Sequence, residues 1–145
     1  MASRLETVED AVYAYIQTLA PLATWYLAEF PRASISTDPR MIMFAMEGGQ
    51  SAINVTLDEQ VYAWSMTAFV RGIYGDRDTA LTDLWAIMDA TPLGPDEIAS
   101  VQRLDVQAPP TINRQVIELE NDLTSGGESR VWAFELPLLI TFERT

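Results

Sequence analysis

Hydrophobic and polar positions along this chain change period several times, and each change marks an element. In residues 7–20, "TVEDAVYAYIQTLA", the apolar positions are Val8, Ala11, Val12, Tyr15, Ile16 and Leu19. That i, i+3, i+4, i+7 spacing is one stripe of an amphipathic helix. Thr7 is a suitable N-cap, with Glu9 and Asp10 toward the positive end of the dipole. Pro21 opens a second helical turn in "PLATWYLAEF" and Pro31 closes it, so residues 1–30 read as a helical lead-in. "STDPR" is a turn, and "MIMFAM" (41–46) a short, continuously apolar strand. "EGGQ" (47–50) reads as a flexible loop before a further strand near 51–57.

Residues 60–73, "QVYAWSMTAFVRGI", form a long strand with apolar residues on both faces, so both faces call for cover. The period then returns to that of a helix: Leu81, Leu84, Trp85 and Met88 follow an Asp78 cap, and Pro92, Gly94 and Pro95 end the element. Strands at about 98–106 and 113–120 come next, then the polar loop "NDLTSGGESR" (121–130). Finally Trp132, Phe134, Leu136, Leu138, Ile140 and Phe142 alternate, as on a strand with one buried face. Pro137 cannot donate to a ladder and marks an edge or a bulge there. The order specifies one α+β domain over residues 1–145, a mixed or antiparallel β-sheet with helices packed on one face.

Composition narrows the chemistry. The chain has 145 residues, 48% of them hydrophobic, and a net charge of −12 from 9 cations and 21 acids. No run approaches the roughly 18 apolar residues of a membrane span. The opening "MASRLETVED" has acids where a secretory signal is basic, so synthesis in the cytoplasm is expected. An acidic surface repels nucleic acid, and suits a wall that DNA passes without sticking. Cys, His and Lys are all missing, so every cation is Arg. That removes thiolate and Schiff-base nucleophiles, the commonest general base, the phosphate-loop lysine and Cys or His metal ligands. No enzyme activity, cofactor or metal is expected.

The remaining candidates are few. Glu118 and Glu120 share one strand face and are the best carboxylate pair, though nothing in their spacing demonstrates a cleft. "ELENDLTSGGES" lacks the sixth-position glycine and twelfth-position acid of a calcium loop, and "MEGGQS" is no phosphate cradle. Trp25, Trp64, Trp85 and Trp132 fall one to an element, which fits core or interface packing better than a stacking platform.

The Pro-led apolar strand "DPRMIMFAM", the long strand after it, the mid-chain helix and the closing "AFELPLLITFER" together resemble the siphophage tail terminators of the minor tail protein U type. Head-completion and neck proteins share that size and composition. The long N-terminal helical segment broken at Pro21 departs from the pattern. The resemblance implies a virion protein, made in the host cytoplasm, that caps the tail tube as a homo-oligomeric ring, hexameric in the family's manner, ends tail polymerisation and presents a head-docking surface. Its partners would be the tail tube protein and a head-completion or connector protein, with DNA passing through. Arg32, Arg40, Gly48, Gly49, Trp64, Gly126 and Gly127 are the candidate assembly residues. A sheet completed by neighbouring subunits would explain the apolar final strand. Residues 47–50 and 121–130 are expected to order on contact, since neither can offset its own chain entropy. A small-molecule-binding module or carboxylate-dependent hydrolase using Glu118 and Glu120 is the alternative.

Overall fold

A computed structural model describes residues 4–30, 39–54, 62–93, 97–98, 101–118 and 128–143. Helix α1 is Arg4–Gln17 and is followed by the short strand β1, Thr24–Leu27. Strands β2 (Arg40–Asn54) and β3 (Tyr62–Tyr74) lead to helix α2 (Arg77–Asp89). Strands β4 (Val101–Val106), β5 (Thr111–Glu118) and β6 (Glu128–Glu143) complete the chain. The sheet runs β1-β2-β3-β6, and β4 and β5 lie end to end along the far edge of β6. Only the β1–β2 pairing is parallel. The expected α+β class, with a mixed sheet and its helices on one face, is the architecture observed.

The core lies under the helices. Val8, Val12 and Ile16 of α1 and Ala80, Leu84 and Ile87 of α2 pack on the even residues of β2, β3 and β6, including Phe44, Val70, Leu136 and Leu138. Tyr13 stacks parallel to Phe44, and the edge of Trp25 closes that end of the core. Gly72 has a steric role: a Cβ there would stand 2.2 Å from the Phe134 ring, which crosses β3 at this point to reach Tyr74. Only a residue without a side chain admits that ring.

Several sequence expectations are corrected. "PLATWYLAEF" holds the edge strand β1 in place of a second helix; its Thr24–Leu27 run pairs in parallel with Met41–Phe44. The indole N–H of Trp25 donates to the carbonyl of Ala20, and Ala28 ends the strand at φ 72°, a left-handed conformation that costs Ala about 1 kcal/mol. "EGGQ" is no loop. It is a bulge inside one 15-residue strand: Met46 pairs with Ala68 and Gln50 with Met66, so β2 carries two extra residues there. Helix α1 begins one turn before Thr7, which places Glu6 in the first turn. Helix α2 is capped by Asp76, whose carboxylate accepts from the Thr79 N–H at 3.0 Å and its hydroxyl at 2.7 Å, while Asp78 lies in the first turn.

Strand β6 is the spine of the sheet, and Pro137 lies in its middle. Its carbonyl accepts from Gln107 N–H at 2.9 Å, just past the end of β4. In an antiparallel ladder a residue's N–H and C=O point to the same neighbour. The donor that Pro137 lacks therefore faces residues 107–110, the seam where β4 hands over to β5. Both edges of β6 are filled by this chain, so its apolar character needs no neighbouring subunit.

Candidate functional site

The second face of the sheet has no helix over it among the described residues. Its odd positions include Phe69, Arg71 and Ile73 on β3 and Ala133, Glu135, Pro137 and Leu139 on β6, all half-buried. Met43 and Glu135 flank Arg71 directly across β2 and β6. Arg71 donates from Nη1 and Nη2 to both oxygens of Glu47, at 3.0 and 2.9 Å, and from Nε to Glu135 at 2.9 Å. Its guanidinium carbon also stands 4.6 Å from the centre of the Phe69 ring. Glu47 follows Met43 and Ala45 on this face by strand alternation, just ahead of the bulge. Hydrogen bonding to Arg71 holds the Glu47 carboxyl below its ordinary pKa, and the same bonds to Glu47 raise that of Arg71.

Beside this cluster lies an open groove of about 310 Å³, lined by Phe30, Arg71, Ile73, Thr111, Asn113, Gln115, Ala133 and Glu135 among others. Its lining is mostly hydrogen-bonding groups. Its charged members, Arg71 and Glu135, belong to the Arg71 network. Among the described residues no group of acids or histidines could hold a metal ion, and no helix is long and apolar enough to cross a membrane.

The helix-covered face has its own polar cluster. Asp83 of α2 is 3% exposed and accepts from Arg40 Nε at 3.0 Å, from Arg40 Nη2 at 2.8 Å and from the hydroxyl of Tyr74. This joins the start of β2, the end of β3 and the middle of α2. Burial, then the bond to Asp83, raises the Tyr74 phenol well above its ordinary pKa, and the bond to Asp83 raises that of Arg40.

Four of the candidate assembly residues, Arg40, Gly48, Gly49 and Trp64, are among the described residues. Arg40 is engaged inside its own chain, with Asp83. Gly48 and Gly49 form the β2 bulge. Trp64 lies half-buried with its ring edge-on to Phe142, 6.3 Å away. Arg32, Gly126 and Gly127 lie outside the described residues, as do Glu120 and all of the 121–130 loop except its last three residues, which begin β6; Glu118 ends β5. Trp85 departs from expectation: it is 63% exposed, because the buried face of α2 is Ala80, Asp83, Leu84 and Ile87. The Arg71 network was missed. Its trace in the sequence is one charge in each of two otherwise apolar stretches, Arg71 in β3 and Glu135 in β6.

No protein-family model and no curated protein sequence matches the chain. Among solved structures, it is similar in fold to a chain of the virion of a native gene transfer agent particle. The TM-score is 0.53 at 14% identity, over 99% of this chain and 99% of that one. At that identity the likeness is one of fold, and it runs end to end.

Proposed function

We propose that this protein is a structural component of a virion: a ring-forming tail terminator that caps the tail tube, halts its polymerisation and offers the surface on which the head docks. The observation that carries the reading is the end-to-end likeness of fold to a virion chain. The element order, a sheet face with no helix over it among the described residues and a residue inventory without Lys, His or Cys support it. The protein acts by assembly and not by catalysis. Its partners are further copies of itself, in a hexamer, the tail tube protein and a head-completion or connector protein, with DNA passing through the ring. Its place is the tail of the virion.

Co-production with a tail tube protein, sought in the gene's neighbourhood, tests this, with tube length and end structure read by negative-stain microscopy. Tubes of limited length bearing a ring at one end are expected. Tubes that grow unchecked and leave this protein monomeric in the supernatant would overturn the reading. The groove favours a second reading, a small-molecule-binding module, through the hydrogen-bonding groups of Thr111, Asn113 and Gln115. A thermal-shift screen addresses it: one compound class raising the melting temperature, with loss on Asn113→Ala, is the expected result. For the hydrolase version, activity unchanged in Glu118→Gln and Glu120→Gln would dismiss those two roles.

A further inference from the structure

Acids outnumber cations by more than two to one in this chain. Of the arginines with described side chains, Arg40 grips Asp83, Arg71 holds Glu47 and Glu135, and Arg103 holds Asp105. Arg77 and Arg114 differ. Neither has a carboxylate within ion-pairing distance among the described residues, and both converge on one indole. Each guanidinium carbon stands 5.8 Å from the Trp132 ring. Arg114 is the cross-strand partner of Trp132, and Arg77 opens α2 above it. The nearest acid in sequence, Asp76, is turned back onto the helix to cap Thr79. Asp78 stands about 100° further round the helix from Arg77. An arginine held over an aromatic face keeps its N–H groups free for an outside acceptor and loses little freedom on binding one.

The complement lies at the other end of α2. Trp85 and Asp89 are both exposed and, with Thr82 and Ala86, line a shallow groove of about 370 Å³. Asp89 occupies the last turn, at the negative end of the helix dipole, with no basic residue in that turn. An acid there is disfavoured within the isolated subunit, and a cation from outside would relieve it. Trp85 beside it can receive a guanidinium on its face.

We propose that Arg77, Arg114 and Trp132 form a docking surface for a second copy of this chain, receiving its Trp85–Asp89 surface. The two surfaces are different, so the contact is head-to-tail, the kind that generates rings. This rests on the self-assembling reading above.

Sedimentation velocity on the full chain, over a concentration series at low and high salt, tests it. Association weakening with salt is expected, along with a loss of about tenfold or more in Arg77→Glu/Arg114→Glu. Asp89→Arg alone is expected to weaken association too. The charge swap, Arg77→Glu combined with Asp89→Arg in one chain, should recover part of it, because positions 77 and 89 then again carry opposite charges across every contact, with Arg114 unchanged. All three positions are exposed, and thermal melts matching the parent's would show that folding is intact. Wild-type association in the double reversal Arg77→Glu/Arg114→Glu would overturn the contact and leave the ring reading standing. A wild-type chain monomeric at every concentration would also overturn it, with the tail-tube experiment deciding the ring reading separately. Binding of a duplex DNA fragment that is lost in the double reversal, with self-association unchanged, would reassign the patch to a polyanion.

Discussion

Two arginine–carboxylate clusters, one on each face of the sheet, use the same chemistry for different ends. Arg40 and Asp83 meet beneath α2, where the carboxylate side chain is 5% exposed. Arg71 meets Glu47 and Glu135 on the helix-free face, where the acids are 42% and 44% exposed. Taking a carboxylate out of water costs several kcal/mol, so Asp83 is tolerable only while all its partners stay in place. The Arg71 cluster keeps its contact with water, so each of its bonds adds little and can be exchanged for another. The first cluster fixes where α2 sits. The second leaves charged groups that a partner can engage without disturbing the core.

The largest effect is expected from Asp83→Ala. It strands a buried phenol and an arginine, and should lower unfolding free energy by about 3 kcal/mol in urea titrations. In the Arg40→Gln/Asp83→Asn double the loss should be less than additive, because the two residues share one interaction. Gly72→Ala follows, at about 2–3 kcal/mol, since the new methyl collides with the Phe134 ring. Adding Phe134→Leu to it should recover part of that loss, whereas Phe134→Leu alone destabilises. Failure of the second change to relieve the first would mean that the ring is not the obstacle.

The clusters should also fail at opposite ends of the pH scale. Tyr74 has a raised pKa, so its contribution is whole below the ordinary value of 10.0. Above that value the unfolded phenol ionises first, and stability falls as pH rises. Tyr74→Phe should flatten that alkaline slope in denaturation curves. Glu47 has a lowered pKa, so its contribution is whole above 4.5 and fades as pH falls through the folded value. Solvent screening keeps that acid-side change small. Arg71→Gln should cost about 1 kcal/mol or less and lose most of that effect in high salt, whereas the Asp83 effect should be nearly salt-independent. The smallest change expected is Trp85→Ser, within about 0.5 kcal/mol of the parent. A larger loss would mean that the indole packs on its own chain.

What could be read in advance follows from which interactions are local. The α1 stripe and the alternation of β6 come from periodicity within one segment, and Val8, Val12, Ile16, Phe134, Leu136, Leu138, Ile140 and Phe142 are buried as that periodicity requires. Strand β1 was misread because "TWYL" is too short to show a period, and its pairing is with residues 41–44, beyond the reach of a local pattern. The face of α2 was misread because an apolar scale prefers Trp85 to Asp83. Asp83 is buried only because Arg40, 43 residues earlier, and Tyr74 meet it there. The "EGGQ" bulge was taken for a loop because two glycines signal flexibility equally in either setting. The pair Arg77 and Arg114, with no ion-paired acid among the described residues, becomes visible only when Arg40, Arg71 and Arg103 are seen to be occupied.

Strand β6 follows all of its partners along the chain, and that order matters while the protein is being made. When β3 leaves the ribosome, the edge that will receive β6 is bare, and residues 75–127 must be synthesised before the matching strand begins. At the pace of translation that is a delay of some seconds. Throughout it, a long apolar strand offers unpaired backbone groups to any other nascent chain nearby, the setting in which edge-to-edge aggregation starts. Soluble yield in a producing cell should therefore depend on elongation speed and chaperone supply more than on the stability of the finished fold. Pulse-labelled chains stalled within residues 75–127 should be the aggregating species, and chains stalled beyond the end of β6 should stay in solution.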